Sequence, residues 1–290
     1  MTDMNDSCVP TLLHERAEFY LMLARSFLAP TTVEHFQAMS DYLADDLADL
    51  DRSLAYGIEP QLEALRLALS KPANQEELLV EYSRMFLQPP RETTLNVCYH
   101  LDGAMMGGTV VEIEAFYRNH GVERGGHFKD FSDHVSVQLE FVSYLYGRAA
   151  EGLESGMPDT AAEKAAAHFL HRFVSRWLPH FEGGIEKAGR ELELKANPWL
   201  PLARILCLAT VRDAVANADG ITSPKRAEVA IVKARQNHAG RGITSEAMAD
   251  VERMLREKGL GADHLQAAPD KRNEALLGLS AKSPPDPRRK

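Results

Sequence analysis

Apolar residues recur at a helical period almost throughout residues 12–218. Leu13, Ala17, Tyr20, Ala24 and Phe27 stand at i, i+4, i+7, i+11 and i+14, which predicts a first helix with one buried stripe. Pro30 stops that helix, and Thr31-Thr32 supply the cap of the next, which is expected to run to about Leu50. Further helical patterns occupy roughly 59–70, 74–87, 108–120, 132–151, 159–177 and 198–218. Gly121, after Asn119-His120, is a C-terminal stop for the helix over 108–120. Period-two alternation is almost absent, and there is no Asn-Gly or Asp-Gly hairpin signal. The expected fold class is all-α, a single helical bundle.

Two stretches interrupt the pattern. Residues 88–103 carry Pro89-Pro90 and little periodicity, and residues 121–131 carry Gly121, Gly125 and Gly126. Binding residues favour such loops when a rigid framework holds them. After about Asp219 the character changes, so residues 1–219 read as the helical domain and 220–290 as a C-terminal extension. Ser223-Pro224 marks a helix start, and a second short helix is expected at about 245–258, ending at Lys258-Gly259. The remainder, through Pro284-Pro285-Asp286-Pro287-Arg288-Arg289-Lys290, is a polar, Pro-rich, basic tail expected to be disordered. No internal repeat has a solenoid period.

Composition narrows the function classes. With 44% hydrophobic residues the chain can bury a sizeable core, yet no apolar run approaches a transmembrane span. The start, Met1 to Asp6, is acidic and has no apolar segment behind it, which argues against a signal peptide. Cys8, Cys98 and Cys207 are widely spaced and odd in number, against a disulfide framework, a Cys-x-x-Cys metal site or an iron–sulfur cluster. The expected compartment is the reducing cytoplasm. The net charge of −9 is uneven: residues 1–59 hold eleven acids against three arginines. Such a surface repels nucleic acid and attracts cations, although a plain solvated helix face has the same composition.

The eleven histidines invite a metal reading. None has a glutamate three residues before it, and there is no His-Glu-x-x-His. His168 and His171 share a helix face with His180 nearby, a pattern equally met on solvated helices. Gly103-Ala104-Met105-Met106-Gly107-Gly108 is glycine-rich but lacks the lysine and the preceding strand of a phosphate-binding loop. The amides of the helix start that follows leave only a weak phosphate site to consider.

Phe131-Ser132-Asp133-His134 is the most informative segment. Adjacent helical residues point about 100° apart, so Asp133 and His134 do not form a dyad on a helix. The pattern instead places Ser132 at the N-cap and Asp133 in the first turn. His134, Gln138, Phe141 and Leu145 then form one stripe, either a core histidine with its neighbours or the wall of a groove. Upstream, Tyr82, Arg84, Met85 and Phe86 end a helix before Pro89-Pro90, with Arg84 within reach of Glu81. Phe86 and Leu87 are core in most proteins, and an apolar lip if partly exposed.

The order of these motifs resembles the TorD/DmsD/NarJ family of redox-enzyme maturation chaperones. The resemblance is carried by Tyr82-x-Arg84-x-Phe86, a Pro-containing loop to Tyr99, Phe116-Tyr117 with Gly121, Asp133-His134 with Leu139-Glu140-Phe141, and Trp177-x-Pro179-x-Phe181. It covers roughly residues 12–218. The resemblance implies a cytoplasmic, non-enzymatic chaperone that binds the twin-arginine signal peptide, or the apoprotein, of a molybdopterin-dependent oxidoreductase. Such a chaperone assists molybdenum cofactor insertion and delays export. It implies a peptide-binding site of Tyr82, Arg84, Met85, Phe86, Tyr99, Asp133, His134, Gln138, Glu140 and Phe141. It implies no metal and no cofactor, with weak guanine-nucleotide binding a property of some members, and a monomer or a helix-swapped dimer. Asn96-Val97-Cys98-Tyr99 departs from the family's usual Ser-Val-Tyr, and the extension is longer than in most members.

Simple physics is compatible with that reading. Two cations ahead of an apolar segment suit an acidic surface, with Asp133 or Glu140 as the arginine partner. The apolar segment is expected to lie against Phe86, Phe141 and Leu145. Two other classes stay open: a small metal- or nucleotide-dependent hydrolase using Asp133, His134 and His127, and a helical adaptor acting through its extension.

Overall fold

The computed structural model describes residues 8–88, 93–105, 107–124, 131–216 and 279–280. The helices expected in the extension, Pro89-Pro90 and His127 lie outside these residues. The chain winds through α1 (Cys8–Ser26), α2 (Val33–Gln37), α3 (Leu43–Leu54), α4 (Glu59–Leu69) and α5 (Gln75–Phe86). There follow α6 (Tyr99–Asp102), α7 (Gly108–Asn119), α8 (Val135–Glu154), α9 (Thr160–Phe169), α10 (Ser175–Glu191) and α11 (Trp199–Ala216). The regular non-helical element among the described residues is a two-residue antiparallel ladder, Glu123–Arg124 with Ser280–Leu279.

The all-α expectation holds, and so do most of the helix positions. Thr32 caps α2 by accepting the His35 N–H at 3.2 Å. The predicted stripe Leu13, Tyr20, Ala24 and Phe27 is buried, with Ala17 packed beside it. α1 lies along α8, the most extensive helix pair, and Ser143 of α8 donates its hydroxyl to the Ala17 carbonyl at 2.7 Å. α9 and α3 flank this pair, while α10 and α11 close the other side. Trp177, Trp199, Phe169, Phe173 and Phe181 are fully buried there, each contributing about 1.5–3 kcal/mol by leaving water.

Two boundaries depart from the pattern. The helix expected to end near 177 runs on to Glu191 with Pro179 inside it. A π-helical turn, Leu170–Val174, widens the chain just ahead. Pro179 forfeits one backbone hydrogen bond, offset by burial of Trp177, Leu178, Phe181 and Ile185. The second is another π-helical turn, Ala38–Tyr42, between α2 and α3.

The core also holds a polar cluster. The Asp213 carboxylate, fully buried, accepts the hydroxyls of Tyr20 at 2.9 Å and Tyr56 at 2.7 Å. Arg16 lies 3.3 Å from its other oxygen. Burial pushes the Asp213 carboxyl up and the Arg16 guanidinium opposes that. The cluster locks α1, α11 and the turn after α3 together. That turn carries left-handed Ala55, and Asp51 accepts the amides of Tyr56, Gly57 and Ile58 at 2.6, 3.1 and 3.2 Å.

Candidate functional site

Asp133 stands just ahead of α8 with its side chain fully buried. Its Oδ2 accepts the Cys98 backbone N–H at 3.2 Å and its Oδ1 accepts Asn96 Nδ2 at 3.3 Å. The Asp133 carbonyl accepts the Val97 N–H at 3.2 Å, and Val135 N–H donates to Leu95 at 2.8 Å. An isolated antiparallel bridge, Asn96 with His134, completes the lacing. Residues 95–98 are therefore sewn to residues 133–135, and the carboxylate serves the loop rather than its own helix.

This corrects the expected cap. His134, not Ser132, is the N-cap of α8, and its Nδ1 accepts the Ser136 N–H at 3.2 Å. That bond makes Nδ1 the unprotonated ring nitrogen. Ser132 is engaged elsewhere: its hydroxyl donates to Glu114 at 2.7 Å and its carbonyl accepts the Tyr117 hydroxyl at 3.2 Å. Sequence neighbours show an acid and a hydroxyl ahead of a helix; which acceptor takes which amide depends on the segment that folds against them.

Gln138 is fully buried and bridges two elements. It donates Nε2 to the Asp133 carbonyl at 3.2 Å and accepts the Trp177 indole N–H at 3.0 Å. The stripe His134, Gln138, Phe141 and Leu145 is thus interior, each residue at most 4% exposed. Phe141 meets Phe116, Tyr117 and Phe169. Among the described residues Phe86, Phe141 and Leu145, expected to wall a groove, are buried: aromatic rings of α10 and α11 cover Phe86, and rings of α7 and α9 cover Phe141.

The same holds at the end of α5. Tyr82, Met85 and Phe86 are buried, and Phe86 packs on Trp199 and Phe181 with ring centroids 5.3 and 6.5 Å apart. The Tyr82 hydroxyl donates to the Phe27 carbonyl at 3.2 Å. Arg84 pairs with Glu81 at 3.1 Å and donates to the Leu192 carbonyl. Leu87, next in line, is 50% exposed. The two predicted halves meet indirectly: His100, beside Tyr99 in α6, packs its ring on Phe181, which stacks on Phe86.

Three residues of this region face outward. Tyr99 is 44% exposed, directly after the laced 95–98 segment, and Phe131 is 40% exposed, two residues before Asp133. Glu140 is partly exposed and makes no hydrogen bond or ion pair with any described residue. Burial raises its carboxyl to about 7, and Arg25 pulls the other way. Asn96 and Trp177 were not singled out as partners of Asp133 and Gln138; an amide within an apolar helical stripe was the one available signal of a buried bridge.

No group of three or more metal-ligating side chains is present among the described residues. His168 is not on a solvated face: its ring packs on Phe116 at 5.6 Å, and burial, then Arg172, His171 and His120, lower it to about 4. At the start of α7, the Asp102 carboxylate accepts both the amide and the hydroxyl of Thr109, at 2.9 and 2.7 Å. A phosphate there would face that carboxylate, so the glycines serve the close approach of Asp102 to Gly107 instead. No helix among the described residues is long and apolar enough to cross a membrane.

The described residues thus form an all-α bundle in which the polar side chains around Asp133 brace the 95–98 loop. The comparisons narrow this. The family model described as nitrate reductase delta subunit matches residues 51–182. The chaperone protein TorD of Vibrio cholerae serotype O1 is 25% identical over 177 residues, 59% of this chain and 79% of that protein. A perchlorate reductase assembly chaperone protein of Dechloromonas aromatica is 28% identical over 80 residues, 28% of this chain and 36% of its own length. A chlorate reductase assembly chaperone protein of Ideonella dechloratans is 26% identical over 114 residues, 39% of this chain and 59% of its own. Over residues 51–182 the chain is thus similar to the TorD/NarJ family. No solved structure matches it.

Proposed function

We propose that this protein is a cytoplasmic maturation chaperone for a molybdopterin-dependent oxidoreductase. It binds the client's twin-arginine signal peptide, its apoprotein or both, holds the client during molybdenum cofactor insertion, and delays export. Likeness to chaperones of reductase assembly is the observation that carries this reading. It works by binding, without turnover and without a cofactor of its own.

Within that reading the site residues divide by role. Asp133, His134 and Gln138 hold the 95–98 segment in place, and Tyr82, Arg84, Met85, Phe86 and Phe141 fix the helix ends behind it. Tyr99 supplies apolar contact at the surface and Glu140 takes an arginine. A micromolar complex needs only about 8 kcal/mol, which one such patch can supply while still permitting release. The exposed acids Asp41, Asp45, Asp46 and Asp49 add long-range attraction for a cationic segment.

The test is capture followed by maturation. The chain, tagged and expressed in its native host, should enrich one molybdenum oxidoreductase subunit over a tag control. Purified apo-client should then acquire molybdenum faster in its presence. Equal molybdenum uptake with and without the chain would remove the function. Calorimetry with the signal peptide and with the leaderless apoprotein separates the two binding modes.

A further inference from the structure

α8 presents one narrow face to solvent. Val135 to Leu139 are all buried, and Glu140 is the first side chain of the helix to reach the surface. Ser143, Tyr144, Gly147 and Arg148 follow at i+3, i+4, i+7 and i+8, each partly exposed, and Glu151 at i+11 is exposed. Those spacings place the six on one side of the helix. Ser143 marks the edge towards α1 by its bond to the Ala17 carbonyl, and Arg148 marks the edge towards α9 by its ion pair with Asp159 at 2.7 Å.

Shape and charge distinguish this strip. A Cβ at Gly147 would meet nothing within 4 Å, so the middle of the strip is open. The Tyr144 ring lies beside it, with the Arg148 guanidinium 5.8 Å from the ring centroid. Glu140 and Glu151, towards its two ends, have no side-chain hydrogen bond or ion pair with any described residue, whereas Arg148 between them is held by Asp159. The helical rise sets the two acids about 16 Å apart, the reach of about five residues of extended chain. The strip also adjoins the candidate site. Burial, then Cys98, Asp133 and Glu140, raise the Tyr117 hydroxyl, and that hydroxyl donates to the Ser132 carbonyl at 3.2 Å, one residue before Asp133.

We propose that this strip seats the cationic segment of the client, with a guanidinium on Glu140 and the chain crossing Gly147. This rests on the reading above, in which Glu140 takes an arginine, and adds the surface on which the rest of the segment lies. Two unpaired acids around an open centre with one aromatic ring complement cations that stand beside apolar residues. Seating is also an exchange. Burial holds the Glu140 carboxyl up at about 7, with Arg25 of α1 opposing. From α7 it faces the neutral phenol of Tyr117. On the α9 side Asp159 is paired with Arg148, Glu163 with Arg16, and the His168 ring packs on Phe116. Glu140 is therefore about half protonated at neutral pH. An arriving guanidinium favours the ionised carboxylate, so a proton passes to solvent as the arginine binds.

The probe is a fluorescein-labelled synthetic peptide with Arg-Arg ahead of an apolar segment, titrated by anisotropy into the full chain and two variants. Between pH 6 and pH 8 the ionised fraction of a carboxyl at about 7 rises about tenfold. Affinity of the full chain should rise about tenfold over that range relative to Glu140→Gln, which should bind weakly and without this slope. Parallel slopes would overturn the exchange. Gly147→Phe fills the open centre and should weaken binding about tenfold at both pH values. Its urea midpoint should stay level or rise, because Gly is the poorer helix former. Undiminished affinity in Gly147→Phe would overturn the seat. A peptide that binds no form refutes the signal-peptide reading instead, and the seat is then decided by carbon-13 NMR of the Glu140 carboxyl in the full chain with N-acetylarginine amide. That probe should lower the titration midpoint of Glu140, and an unchanged midpoint overturns the proposal.

Discussion

Replacing Asp133 by Ala removes the acceptor of the Cys98 amide and of Asn96 Nδ2, at 3.2 and 3.3 Å. Both donors are buried, so neither gains water in exchange. A hydrogen bond to a charged acceptor contributes about 1.5–3 kcal/mol, and a stranded buried donor costs about 1–3 kcal/mol. These overlap, since the loss of the bond and the stranding of the donor are one event seen twice. About 3–4 kcal/mol is therefore expected for the pair. α8 keeps its His134 cap, so the circular dichroism signal should hold while the urea midpoint falls. The loss should be local as well as global: exchange at the amides of Val97 and Cys98 should rise well beyond that in α1 or α8. Asp133→Asn, which keeps one carbonyl oxygen, should lose roughly half as much. If Asp133→Ala weakens signal-peptide binding with a stability change below about 0.5 kcal/mol, the anchoring argument is wrong and Asp133 meets the ligand directly.

Three further outcomes test other parts of the structure. Asp213→Ala leaves the Tyr20 and Tyr56 hydroxyls without their acceptor and Arg16 with Glu163 alone, and should cost about 3–5 kcal/mol, a fall of roughly 8–15 °C in Tm by calorimetry; a shift under 3 °C would contradict it. Glu140 has its carboxyl raised to about 7 against an ordinary 4.5, so its ionisation opposes folding, and the stability present below 4.5 is lost as pH rises through 7. Glu140→Gln should accordingly be neutral at pH 4 and stabilising by about 1–2 kcal/mol at pH 8, a discount for its partial exposure included; equal urea midpoints at pH 8 would refute it. Gly107→Ala drives a Cβ into Asp102 and should unseat the cap of α7 at a cost of about 1–2 kcal/mol, whereas Gly108→Ala, with open space at its Cβ position, should be mild.

The helices were legible because their apolar period is local and strong. Leu13 to Phe27 needs no partner to be recognised, and Thr32 signals its helix start from sequence alone. The continuation of α10 past Pro179 was hidden, because Pro reads as a break unless the burial of Trp177 and Phe181 around it is known. At the candidate site the composition of the cluster was readable but its orientation was not. Phe86 and Phe141 are as apolar as the side of a groove requires, and only Trp199, Phe181 and Phe169 packing over them makes them interior.

The residues themselves thus determined an all-α chain, its breaks at Pro30 and Gly121, its charge asymmetry, and the two segments, 82–86 and 131–134, that make up the candidate site. Periodicity, backbone stereochemistry and net charge are properties of neighbours along the chain. Tertiary structure decided that Asp133 binds the 96–98 loop, that His134 takes the cap, that Gln138 bridges to Trp177, and that Asp213 gathers Arg16, Tyr20 and Tyr56. Those partners stand some 35 to 200 residues apart in all but the local cap. A buried polar group must be satisfied, but sequence does not say by whom; the packing that removes water from it chooses the partner.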